Sequence, residues 1–160
     1  MIIVYIFFSF ILSCFLFSIS KEDAKTMLIS ETKLRFFAAF GFLYLLCLGF
    51  SNEKINSIKL ITNNFFAMLI ILSIMSLISF TSYKILGIKS LGLGDIKLST
   101  ISTLWLGLKL SFISLTISFF LSAIYSLYGK ITNRFKRFHQ FAFAPFLSIG
   151  IFFSWILDKI

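Results

Sequence analysis

The chain has 160 residues, 59% of them hydrophobic and only 13% charged, about half the charge of an average soluble domain. Too few polar side chains are present to clothe a soluble fold, so the bilayer is the expected solvent. The formal charge of +9 does not indicate nucleic-acid binding, because the lysines and arginines stand in short gaps between apolar runs, where they meet anionic headgroups, and not on one aromatic-laced face.

An apolar run over residues 1–20 opens the chain. It has no basic residue before Lys21 and no small-x-small cleavage site, so it reads as a retained span and not as a signal peptide. Ile11-Leu12-Ser13-Cys14 resembles a lipoprotein cleavage box only faintly, since apolar residues continue past the cysteine. Runs at 34–50, 60–80 and 141–157 also meet the length a spanning helix needs, about 20 residues with 17 tolerated. Between residues 96 and 128 the apolar stretch is broken only by Lys97 and Lys109, and as one helix it would run about 50 Å. It is expected to fold back at Gly107-Leu108-Lys109, giving a fourth helix from Ile96 of about 13 residues and a fifth over 110–128. The predicted fold is all-α and polytopic, with about six transmembrane helices in a single domain over residues 1–160.

With the N-terminus outside, Lys21, Lys25, Lys33, Arg35, Lys84, Lys89, Lys97, Lys130, Arg134, Lys136 and Arg137 fall on the inner face, and only Lys54, Lys59, Lys109 and Lys159 on the outer. Positive charge favours the cytoplasmic side, so both termini are expected outside. Tyr125, Tyr128, Trp105 and Trp155 then lie near predicted interfaces, where aromatic anchoring accounts for them. Cys14 and Cys47 lie inside apolar runs with no CxxC or His partner, so no zinc or disulfide framework is expected. His139 reads as a solvated or headgroup-facing side chain among basic residues. No cofactor or metal is called for.

Six acids remain: Glu22, Asp23, Glu31, Glu53, Asp95 and Asp158. The topology puts Glu53 and Asp158 outside and the other four inside, so a functional carboxylate pair would join Asp95 to a first-loop acid. Asp95 follows Gly92-Leu93-Gly94, two glycines that permit close backbone approach or positive φ, and it opens the short fourth helix. One reading makes it an N-cap after a flexible turn. The other is functional, because ionisable groups at membrane depth are costly. Two carboxylates at close range cannot both ionise cheaply and so share a proton. The ionised member can take a proton from an attacking water while the protonated member polarises a peptide carbonyl.

Three segments resemble the type IV prepilin peptidases and the related preflagellin peptidases, membrane aspartyl proteases with a GxGD turn. Gly92-Leu93-Gly94-Asp95-Ile96-Lys97-Leu98 is similar to the family's GxGDxKL pattern at a helix start. The segment from Asp23 to Ile29 resembles its first aspartate segment, and Phe143-Ala144-Pro145-Phe146-Leu147-Ser148-Ile149-Gly150 resembles its late F-x-P-F-L-x-x-G helix. The resemblance selects Asp23 as the partner of Asp95 and makes Glu22 and Glu31 flanking charges. Ser30 stands where the family usually has proline, and Glu31 where Asp or Asn is common. The paired CxxC motifs that accompany N-methylation in longer members are missing from this sequence, so the resemblance implies cleavage without methylation. Lys97 is expected to bind substrate, tune Asp95 or snorkel, and Pro145 to kink or loosen the last helix beside the site.

The function implied is removal of the short basic leader of a prepilin-like or pseudopilin-like membrane protein at the cytoplasmic face of the inner membrane. The alternative from another class is a non-catalytic scaffold or small transporter subunit with Asp95 as a structural helix cap.

Overall fold

The computed structural model describes residues 2–51, 57–87, 91–134 and 140–158. Glu53, Lys54, Lys89, Lys136, Arg137, His139 and Lys159, which enter the reading of charge and topology, lie outside the described residues.

Among the described residues the structure is helical, with α1 (Ile2–Thr26), α2 (Glu31–Ser51), α3 (Ser57–Leu86), α4 (Leu93–Ile131) and α5 (Ala144–Leu157). The first four are long and apolar enough to cross a membrane, and α5 is a shorter apolar helix. Helices are the form in which apolar segments satisfy every backbone N–H and C=O internally when no water is available. Large side chains that face away from the bundle, such as Phe10, Phe17, Phe66 and Phe80, match a lipid surround.

α1, α2 and α3 each extend beyond their apolar runs. α1 continues through residues 21–26, so Asp23 stands in its last turns and not in a loop. It stops where Met27 takes a left-handed backbone (φ 53°) and returns its N–H to the Asp23 carbonyl at 2.8 Å. α5 starts three residues later than its apolar run, because Pro145 sits in its first turn, where the missing N–H would have no intrahelical partner anyway. Pro145 therefore initiates this helix and does not kink it.

α4 contains one break, at Gly107, whose φ of 71° and ψ of 179° leave the helical region. Contacts on either side show that the chain reverses there. The arm before Gly107 runs from Gly94, packed on Ile29, to Trp105, packed on Phe37, Tyr44 and Trp155. The arm after it returns alongside α5, with Ser114 and Ser118 against Gly150, then Phe119 against Phe143 and Tyr125 against Phe146. α5 is antiparallel to α1, since Ala144 meets Asp23, Ser148 reaches the Leu16 carbonyl, and Trp155 reaches Ser9.

Trp105 and Trp155 are not interfacial anchors. They are 3% and 2% exposed and form the centre of an aromatic core. The Trp105 ring is stacked between Phe37 (5.4 Å) and Tyr44 (5.8 Å), and its indole N–H donates to the Phe37 carbonyl at 3.2 Å. The Trp155 N–H donates to Ser9 Oγ at 2.7 Å, so both indoles satisfy their polar atom inside the bundle. Tyr125 and Tyr128 remain exposed, as an anchoring role requires.

The backbone at Gly107 occupies a region that side chains with a Cβ rarely adopt, and Asn64 Oδ1 lies 3.3 Å from where that Cβ would be. Gly107→Ala is expected to cost about 1–3 kcal/mol. A lowered thermal midpoint of the purified protein in detergent is the measurement; an unchanged midpoint would mean that the reversal does not depend on glycine.

Candidate functional site

The end of the bundle where α1 stops and α2, α4 and α5 begin gathers the buried acidic residues. Asp23 is 5% exposed and Asp95 is 9% exposed. They come from segments far apart in sequence, which the packing of Ile29 against Gly94 brings to the same end of the bundle.

Asp23 is held from the side of α5. Its Oδ2 accepts the Ala144 backbone N–H at 3.0 Å in a buried hydrogen bond. Ala144 is the first residue of α5, so the carboxylate meets one of the free N–H groups at a helix N-terminus, the positive end of the helix dipole. Phe143, the N-cap, offers no side-chain cap to compete for them.

Asp95 stands in the first turn of α4 and is not its N-cap. The N-cap is Gly92, in an extended conformation (φ −69°, ψ 151°) with no side-chain cap bond, so the helix starts at Leu93 instead of Ile96. Asp95 folds back on that start: its Oδ2 lies 3.2 Å from the position a Gly92 Cβ would take, and the Gly92 backbone bonds to the carboxylate. This is the return half of a capping box, with the acid three residues into the helix. The second oxygen, Oδ1, is buried and has no hydrogen-bond partner among the described residues. A buried carboxylate oxygen left in this state is costly, and it is a free acceptor that the site presents.

Close approach, and not positive φ, explains the Gly92-Leu93-Gly94 turn. A Cβ on Gly94 would stand 3.1–3.2 Å from three side-chain carbons of Ile29, so glycine lets the loop after α1 lie directly on the start of α4. That contact brings the Asp23 segment and the Asp95 segment together. Lys97 is half exposed, and its ammonium pairs with Glu31 at the start of α2. Pro145 stands in the first turn of α5, next to the Ala144 N–H that Asp23 accepts.

The backbone N–H of Ala144 is the site group that the sequence leaves unmarked, although proline in the first turn signals a helix start within a residue or two. Among the described residues no group of three or more His, Cys, Asp and Glu side chains is placed to hold a metal ion. The arrangement offers a pair of buried carboxylates at the end of an apolar bundle, suited to proton transfer to and from a bound water.

A family model described as the type IV leader peptidase family matches residues 10–127, well over half of the chain. No curated protein and no solved structure matches it.

Gly94→Ala is expected to push Ile29 off α4 and destabilise the protein by about 1–3 kcal/mol, as overpacking does. Adding Ile29→Ala should return part of that loss, a coupling of about 1 kcal/mol readable from thermal midpoints of the two single variants and the double. Strict additivity would show that the two residues do not press on one another.

Proposed function

The chain belongs to the type IV leader peptidase family, and we propose that it is an aspartic endopeptidase that removes the short basic leader of a prepilin-like or pseudopilin-like membrane protein. The observation that carries this reading is the burial of Asp23 and Asp95 at one end of a bundle of apolar helices, where Ile29, six residues after the first, packs on Gly94, next to the second.

In this reading the protein crosses the inner membrane six times, as one peptidase domain with the N-terminus outside, and the two arms of α4 count as separate crossings. The aspartates then lie on the cytoplasmic side, among the basic residues that set orientation. The arm before Gly107 and α5 are each about 14 residues, roughly 21 Å long against a hydrocarbon core of about 30 Å. Their starts are therefore recessed, which places the carboxylates where water and a membrane-held peptide meet.

The chemistry is water activation by a carboxylate pair. The ionised member takes a proton from water as its oxygen attacks the scissile carbonyl. The protonated member donates a hydrogen bond to the carbonyl oxygen and then a proton to the leaving nitrogen. The substrate's own apolar helix, held beside the enzyme's spans, confines the scissile bond to the plane of the carboxylates and supplies effective concentration. With no CxxC pair in the sequence, the product is not methylated by this chain. The alternative, a scaffold in which Asp95 only caps a helix, accounts for Oδ2 against Gly92. It gives no reason for the bare Oδ1.

Co-expression with prepilin-like substrates tests the proposal. Asp23→Asn and Asp95→Asn should each lower leader removal by at least about a hundredfold, the usual scale for losing an acid–base group. Asp158→Asn, at the opposite end of α5, should cleave normally. Leader removal that survives either of the first two changes would contradict the two-aspartate mechanism.

A further inference from the structure

Glu22 precedes Asp23, and the structure gives its carboxylate a task that the aspartate chemistry does not use. Its Oε2 accepts the Ser30 backbone N–H at 3.4 Å, across the whole loop from α1 to α2, and forms an ion pair with Lys33 at 3.2 Å. Lys33 in turn donates to the Ser18 carbonyl at 3.3 Å, so the first turn of α2 is tied to the last turns of α1 at two levels. Thr26 closes the near side of the same loop: its hydroxyl bonds the Glu22 carbonyl at 3.0 Å and accepts the Leu28 N–H at 3.3 Å.

What this brace holds is Ile29. That residue sits between the Leu28 and Ser30 attachments and packs against Gly94, one residue before Asp95. The loop depends on these attachments for its shape: it is not helical, and Met27 adopts a left-handed conformation without being glycine. Glu22 and Lys33 are each about one-third exposed, so the ion pair itself is screened and contributes little. The group that matters is the Ser30 N–H, which projects from the start of α2 and needs an acceptor.

We infer that Glu22 is a positioning residue for the aspartate pair: by accepting the Ser30 N–H it fixes the loop that seats Ile29 on Gly94, and so sets Asp23 against Asp95. The acceptor oxygen is the working feature, and the negative charge is not. A proline at position 30 would have no N–H to satisfy and would restrict the loop through its own ring, so Glu22 and the residue at position 30 form one unit. The effect on turnover rests on the peptidase reading above; the effect on the loop does not.

Two readouts on the whole protein in detergent separate these. Hydrogen exchange of the segment 26–33 reports the brace directly. Cleavage of a prepilin-like substrate reports its consequence. Glu22→Ala should raise exchange in 26–33 and lower kcat about fivefold with KM unchanged, the size of one net hydrogen bond. Glu22→Gln keeps an acceptor oxygen and should match the wild type in both. In a Ser30→Pro background, Glu22→Ala should cost nothing further. Exchange and kcat unchanged in Glu22→Ala would overturn the inference, and so would Glu22→Gln behaving like Glu22→Ala, or an equal loss in the Ser30→Pro background. A wild-type protein that cleaves no prepilin-like substrate would refute the peptidase reading, while the exchange data would still decide the brace.

Discussion

The hydrogen bond from the Ala144 N–H to Asp23 Oδ2 joins the end of α1 to the start of α5, across most of the chain. A buried carboxylate needs partners, and a helix start has N–H groups to spare, so each end answers the other's need. With α5 antiparallel to α1, the same bond presents the α5 N-terminus to the Asp23 carboxylate. The architecture at this end follows from supplying polar partners to acids in an apolar bundle.

Most of the other buried hydroxyls among the described residues obey the same constraint with cheaper means, Ser114 and Ser154 being the exceptions. Ser99, Thr100, Thr103 and Ser118 on α4 are buried, and each hydroxyl bonds back to a carbonyl of its own helix three or four residues earlier. They therefore admit close packing without needing a partner on another helix, as small residues do between membrane helices. The far end is filled by Phe37, Tyr44, Trp105 and Trp155, whose rings give the bundle bulk. The two ends thus divide the work: aromatic packing fixes the bundle at one, and a glycine contact, a helix N-terminus and two carboxylates occupy the other.

Much of this is legible in the sequence, and what is not has physical reasons. The apolar runs mark the helices because lipid permits few alternatives, and the Gly107 region is readable as a reversal because an unbroken helix would be too long for the bilayer. Asp95 and its glycines announce themselves because a turn motif is local. Helix boundaries shift at residues 21–26, where Lys21, Glu22, Ala24 and Lys25 carry α1 beyond its apolar run, and at residues 93–95, where α4 starts from a Gly92 N-cap instead of from Asp95. Trp105 and Trp155 point the wrong way because an aromatic residue near a span end suits both an interface and a core, and only the neighbours decide. Lys97 and Glu31 are unremarkable singly, and their pairing needs the fold. The Ala144 N–H carries no side-chain signature at all, and its only trace is the proline after it.

In the proposed reaction the two carboxylates activate water and neither attacks the peptide bond. A single-turnover cleavage in water enriched in oxygen-18 tests this most directly, with mass spectrometry of the released leader and of the enzyme peptides that contain Asp23 and Asp95. Water attack predicts one heavy oxygen in the leader's new carboxylate and none in either aspartate. Heavy oxygen in Asp23 or Asp95, or a leader–enzyme adduct on either residue trapped by rapid acid quench, would mean an acyl intermediate and would contradict water attack.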